Sequence, residues 1–303
     1  MKQALIAAGL AVLACSGVRA EVIASGMSAA ENTFQTSNQR LFASSDGAFY
    51  EITRDGLGWH KMPVVAAFKD GGNRPCYYLG ITESAGTLYT VCTESNFDPL
   101  ARKHLFGLDP YQAVPRLTEA GELGGVALPN GLAADRSGNL YLADSGLPLL
   151  PGVIHKITLA GAYTIATQSV FHRFAACKPN GLKHDADRLY VSVNPFSYIG
   201  LSQLLRYDIG ATGLANKASV YTSWAFLDDF ALVRGGAVIA EFLGGRISHV
   251  SEAGAVLHTA AFSQPTSATL LTAPAFGAGS LLVTERGKGT INRFDSGWSL
   301  APR

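Results

Sequence analysis

The stretch "LPNGLAADRSGNLYLADSG" (128–146) opens with Pro-Asn-Gly-Leu, and the same four residues return in "KPNGLKHDADRLYVSV" (178–193). The two asparagines, Asn130 and Asn180, stand 50 residues apart. Asn-Gly alone reads as a turn dipeptide that brings the chain onto a strand. A pair at this spacing asks for a repeat, and looser copies follow in both directions. They are "AENTFQTSNQRLFASSDGAFYEI" (30–52), "RPCYYLGITESAGTLYTVCTES" (74–95), "LDDFALVRGGAVIAEFLGGRISHV" (227–250) and "PTSATLLTAPAFGAGSLLVTERGKGTINRF" (265–294). Aligned on their second positions, the six units begin at Glu31, Cys76, Asn130, Asn180, Asp228 and Thr266, with spacings of 45, 54, 50, 48 and 38.

Each unit holds short apolar or alternating runs, such as "NLYLAD", "RLYVSV", "AVIAEF" and "SLLVTE", separated by Gly-bearing turns. No segment carries a helical period of useful length, so the chain is all-β. A period near 45–50 with about four strands per unit predicts propeller blades. The expected fold is a six-bladed β-propeller with four-stranded blades, filling residues 21–303 as one domain. A sandwich or solenoid built of the same strands would lack the sixfold repeat that starts at a polar residue. The early run "EVIASG" (21–26) is expected to complete the last blade's sheet and close the ring, which otherwise leaves an open edge.

Composition narrows the partners. Of 303 residues 48% are hydrophobic, 16% are charged and the net charge is +1, so nothing points to nucleic acid. A monomer acting on a small molecule is expected. Residues 1–20 read as an export signal, with Lys2, an apolar run from Ala4 to Ala14 and small residues before Glu21. "VLACSG" offers a second reading as a lipid-attachment site at Cys15. The protein is therefore expected to be periplasmic or secreted, or alternatively an outer-membrane lipoprotein. No other run is long and apolar enough for a spanning helix. Three cysteines remain after export: Cys76, Cys92 and Cys177. Cys76 and Cys92 flank the turn "ESAG" and can face each other across a hairpin; three buried thiols are the equal alternative.

In a propeller the first strand of every blade lines the central channel, so the six unit-opening residues converge around the axis. Four of them, Glu31, Asn130, Asn180 and Asp228, carry side-chain oxygens of the kind that hard cations take. Singly, each reads as a turn residue or a cap. Together at one repeat position they point to a divalent cation, with Ca²⁺ expected and another divalent ion possible. Zinc is not expected, because no His/Cys cluster has ligand spacing. Asp144, Glu241 and Glu285, which end second strands, are read as anchors for backbone amides.

With these motifs the chain resembles the senescence-marker-protein/gluconolactonase group and its paraoxonase-like relatives, most clearly in "PNGLAADRSGNLYLADSG". The resemblance implies a catalytic Ca²⁺ held by Glu31, Asn130, Asn180 and Asp228. It also implies a Lewis-acid hydrolysis in which Asp228 or its neighbour Asp229 serves as general base. The first unit reads "AENTF" where the family prefers Glu-Gly, and the fifth reads "LDDF" where it prefers Pro-Asp-Gly. The second reads "RPCYY" where gluconolactonases carry Arg-Pro-Asn-Asp-Gly, which leaves Arg74 and Cys76 as candidate substrate contacts and weakens the case for a sugar lactone. His104 and His172 are the histidines nearest the expected channel mouth, and both are read as loop residues. The expected function is an exported Ca²⁺-dependent lactonase or esterase. The alternative is a non-catalytic propeller that binds a ligand or protein and keeps a structural calcium.

Overall fold

A computed structural model of the chain describes residues 19–96, 98–147, 150–196, 200–211 and 213–303. The export segment and Cys15 lie outside the described residues, apart from the two residues that precede Glu21. Six antiparallel sheets follow one another along the chain, each ordered from an inner strand to an outer one. Blade three shows the pattern: Pro129–Ala134, Leu140–Asp144, Val153–Gly161 and Thr164–Arg173 pair in sequence order. Blade six borrows its outer strand from the other end of the chain, because Arg19–Ala24 pairs antiparallel with Thr290–Asp295. The ring is closed in this way by the early run, as expected. Blade two gains a fifth strand, Ala66–Ala67, parallel to its outer edge. No described residue lies in an α-helix, so among the described residues no helix is long and apolar enough to cross a membrane.

The second strands read as nearly unbroken apolar runs because each blade is covered on both faces. In blade three, Leu140 and Leu142 pack toward blade two with Tyr89, Val91 and Leu105. Their neighbours Tyr141 and Ala143 pack the opposite way, with Leu182, Leu189 and Val191 of blade four. A strand's side chains alternate, so one run supplies two cores. Six buried clusters result, one in each seam between neighbouring blades.

The repeated Asn-Gly is a bulge inside the inner strand and not a turn. Pro129 pairs with Asp144 and Leu132 with Leu142, so the ladder skips Asn130 and Gly131. Pro179 and Leu182 bracket Asn180 and Gly181 in the same way. A bulge re-aims one side chain out of the pleat, here toward the axis. The glycine answers a close approach. A Cβ on Gly131 would fall 2.6 Å from the Leu182 nitrogen and within clashing distance of the Asn180 carbonyl. Gly80 bears the same relation to Asn130 and Leu132 of blade three.

That register corrects blade two. Its bulge lies between Tyr78 and Ile81, so Leu79-Gly80 is the counterpart of Asn130-Gly131, and the inner-ring residue is Leu79 and not Cys76. With Leu79 in place the ring positions are 48, 51, 50, 48 and 38 residues apart. Cys76 instead forms a disulfide with Cys92, across a Cα separation of 5.5 Å, while Cys177 stays free.

Candidate functional site

In every blade the inner strand starts, and the second strand ends, on the same face of the ring. At that face a cavity of about 320 Å³ descends along the axis. Glu31, Leu79, Asn130, Asn180 and Asp228 line it, one residue from each of five blades. The sixth ring residue, Thr266, is turned into the seam. Its hydroxyl donates to the Ala30 carbonyl at 2.8 Å and meets the Thr284 hydroxyl at 2.6 Å. Above the ring stand residues from the ends of second strands and from the loops between blades, among them Asn194, Phe226, Phe242 and Arg286.

Hydrogen bonds fix the ring from behind. The Thr284 hydroxyl donates to the Glu31 carbonyl at 3.0 Å, and the Glu31 amide donates to the Ser44 carbonyl. Ser192 joins blades four and five: it accepts from the Gly181 amide and donates to the Asp228 carbonyl, both at 2.7 Å. Asn194 clamps Leu227, accepting from its amide and donating to its carbonyl, both at 2.9 Å. The backbone that carries Glu31, Asn180 and Asp228 is thereby tied to the strands around it.

Two carboxyl groups are buried at this floor. Burial is the main cause that pushes the Glu31 carboxyl up from 4.5 to about 7; Arg286 pulls the other way, and Asp229 and Asp46 add to the rise. Asp228 is raised well above the usual carboxylate range, first by burial and then by the charges of Glu31 and Asp229. Arg286 and a hydrogen bond from Asn180 oppose that rise without cancelling it. The Arg286 guanidinium lies 3.2 Å from Glu31, Nη1 to Oε2. Asn180 donates through Nδ2 to the Leu227 carbonyl at 3.4 Å, while its Oδ1 is buried without a hydrogen-bond partner. An acceptor left unsatisfied at this depth is costly unless a water, ligand or ion meets it.

These donors suit a hard cation. Two buried acids that disfavour each other's ionisation would be relieved by a divalent charge, and the amide oxygen of Asn180 awaits an electropositive partner. Among the described residues no group of three or more His, Cys, Asp or Glu side chains is placed to hold a metal. An ion here would therefore rest on the mixed carboxylate and amide set of Glu31, Asn130, Asn180 and Asp228.

Other expected residues fall elsewhere. Asp229 occupies the place of the bulge glycine, packs against Gly181 and pairs with Lys183 at 2.5 Å, outside the cavity lining. Arg74 is likewise absent from the lining: it pairs with Asp70 and Glu94 and stacks on Phe68. His104 lies on the strand Lys103–Leu108, fully buried between Glu119 at 2.8 Å and Glu94 at 3.0 Å. His172 lies on Thr164–Arg173 against Phe174 and Tyr207. Asp144 does anchor backbone, accepting from the amides of Ala127, Leu128 and Gly146. Glu285 accepts from the Ser263 amide, whereas Glu241 gathers the hydroxyls of Tyr221 and Ser248.

Several contributors escape a sequence reading, among them Leu79, Arg286 and Lys178, together with Asn194, Phe226 and Phe242. Leu79 carries one signal, the glycine that follows it. Arg286 carries none, since nothing in "VTERG" says that it crosses to blade one. Lys178 is buried at the cavity wall and donates to the carbonyls of Ser145, Leu147 and Leu150 at 2.8–3.2 Å, tying down blade three's loop.

No protein-family model matches the sequence, and no curated protein matches it either. Solved structures do match in shape. A gluconolactonase of Xanthomonas campestris superposes with a TM-score of 0.63 at 15% identity, over 91% of this chain and 89% of that one. The PQQ-bound aldose sugar dehydrogenase of Streptomyces coelicolor gives 0.58 at 16%, over 92% and 98%. The virginiamycin B lyase of Staphylococcus aureus gives 0.58 at 11%, over 92% and 98%. Identities this low carry the propeller fold and leave the chemistry to the site.

Proposed function

We propose that the protein is an exported, Ca²⁺-dependent hydrolase of the lactonase or esterase type. The observation that carries this reading is the unsatisfied Oδ1 of Asn180 beside two buried carboxyl groups, Glu31 and Asp228, at the floor of an axial cavity. Glu31, Asn130, Asn180 and Asp228 would hold the ion. When bound it supplies a Lewis acid for a carbonyl oxygen, and magnesium- or manganese-like ions are chemically acceptable substitutes.

The chain's own groups do the rest. Asp228 lines the cavity and is the group assigned to take a proton from a water; beside a divalent ion its carboxylate would stay ionised and so be free to accept one. Asp229, the neighbouring acid, is held by Lys183 outside the cavity. Phe226 and Phe242, whose ring centroids are 6.3 Å apart, exclude water from one wall and favour a small substrate with an apolar part over a bare sugar. The Cys76–Cys92 disulfide supports an oxidising compartment, periplasmic or extracellular, with lipid attachment at Cys15 as the alternative mode of retention. We expect a monomer.

Leu79 favours a second reading, a non-catalytic binding propeller with a structural calcium, because the ring lacks an oxygen on blade two. Metal analysis and a chelator-sensitive screen on lactones, aryl esters and phosphotriesters separate the two. The hydrolase reading expects turnover that EDTA removes and calcium restores. Asp228→Asn should abolish it with the fold intact. Bound calcium without turnover on any of the three classes would sink the hydrolase and leave the binding propeller.

A further inference from the structure

Arg286 is not a ring residue. It stands on the loop that leaves the strand Leu281–Glu285 of blade six and reaches back to the axis, where its guanidinium meets Glu31 at 3.2 Å. The side chain is largely buried and lines the same cavity as the four oxygen-bearing ring residues. Its positive charge acts on the carboxyl groups of Glu31, Asp228 and Asp46 alike. Asp229, the remaining acid of the bulge, has its own partner in Lys183.

We propose that Arg286 is the resident counter-cation of the Glu31–Asp228 pair, and that a divalent ion enters the ring only by taking Glu31 from it. This rests on the metal site proposed above. In the ion-free protein the guanidinium does part of an ion's electrostatic work, offsetting the negative charge that the Glu31–Asp228 pair carries. A divalent ion in the ring needs the same Glu31 carboxylate and is repelled by the guanidinium beside it. At an effective dielectric of about 20, repulsion over a few ångströms weakens ion affinity by about tenfold or more. Binding is then an exchange of one cation for another, and the site belongs with weak, exchangeable calcium sites of extracellular modules.

The test is calorimetric titration of the chelated full chain with calcium, in the native protein, Arg286→Gln and Arg286→Lys, with thermal melts of each chelated form. Arg286→Gln should bind calcium about tenfold more tightly or better, and its chelated form should melt below the native one. Arg286→Lys, which keeps the charge, should stay within about threefold of native affinity. A native protein that binds no calcium beside a glutamine variant that does is the same result in its extreme form, as is a glutamine variant that folds only with calcium present. Equal or weaker binding by Arg286→Gln overturns the counter-cation role and leaves the metal site standing. A tenfold change in Arg286→Lys also overturns it, because the charge was retained. No calcium binding in any of the three proteins overturns the metal site together with this inference.

Discussion

Raising the pH should destabilise the chelated protein, and Glu31 sets the size of the effect. Its carboxyl titrates at an ordinary 4.5 in the unfolded chain and near 7 in the fold, chiefly because it is buried. Between those values the folded protein holds a proton that the unfolded chain has released. Stability from this group is therefore fully present below 4.5 and is lost as pH rises through 7. At about 1.4 kcal/mol for each pH unit of difference, Glu31 forfeits roughly 3 kcal/mol in all, of which roughly 2–3 kcal/mol falls between pH 5 and 8. Asp228, also raised, acts in the same direction. His172, His184 and His249, which burial lowers, act the opposite way up to their ordinary value of 6.5. The diagnostic quantity is accordingly the difference between native protein and Glu31→Gln, measured by urea denaturation in EDTA at pH 5 and pH 8. That difference should shift by roughly 2–3 kcal/mol in favour of the glutamine variant at pH 8. Saturating calcium should shrink or reverse the native trend, because an ion binds the ionised carboxylates. Parallel pH profiles for the two proteins in EDTA would refute the assignment of Glu31 as a buried, proton-holding acid.

Two further outcomes test the frame around the site. Gly131→Ala should cost about 2–3 kcal/mol in a denaturant melt and lower calcium affinity, since its methyl group presses on the Asn180 and Leu182 backbone of the next blade. A null effect would mean that the inner strands yield easily. Cys76→Ser, or reduction of the bond it makes with Cys92, should cost about 3 kcal/mol for a loop with a sequence separation of 16, read as a fall in melting temperature with reductant.

The repeat was legible in the sequence because a propeller imposes it locally. Each blade needs a short inner strand, a second strand apolar on both faces and a turn at a set distance, and the chain writes those requirements into every unit. Ring closure could be read from the N-terminal apolar strand for the same reason: one outer edge was left over. Asn130, Asn180 and Asp228 could be found because the bulge at each unit's start keeps a fixed register. Blade two defeated that reading. There a proline in "RPCYY" mimics the start of the motif three residues too early, and only strand pairing shows that Gly80 marks the bulge and Leu79 the ring.

What tertiary structure alone decided is everything that depends on contacts across seams. Thr266 shares the repeat position yet turns into hydrogen bonds with the first blade. Asp229 adjoins Asp228 in sequence, but the bulge sends it toward Lys183 and leaves the cavity to its neighbour. Arg286 and Glu31 are 255 residues apart, and their ion pair exists because the ring closes. Strand period and bulge, both readable from sequence, are enough to bring Asn130, Asn180 and Asp228 to the axis. How those charges balance once gathered follows from burial and distance, which no local pattern encodes.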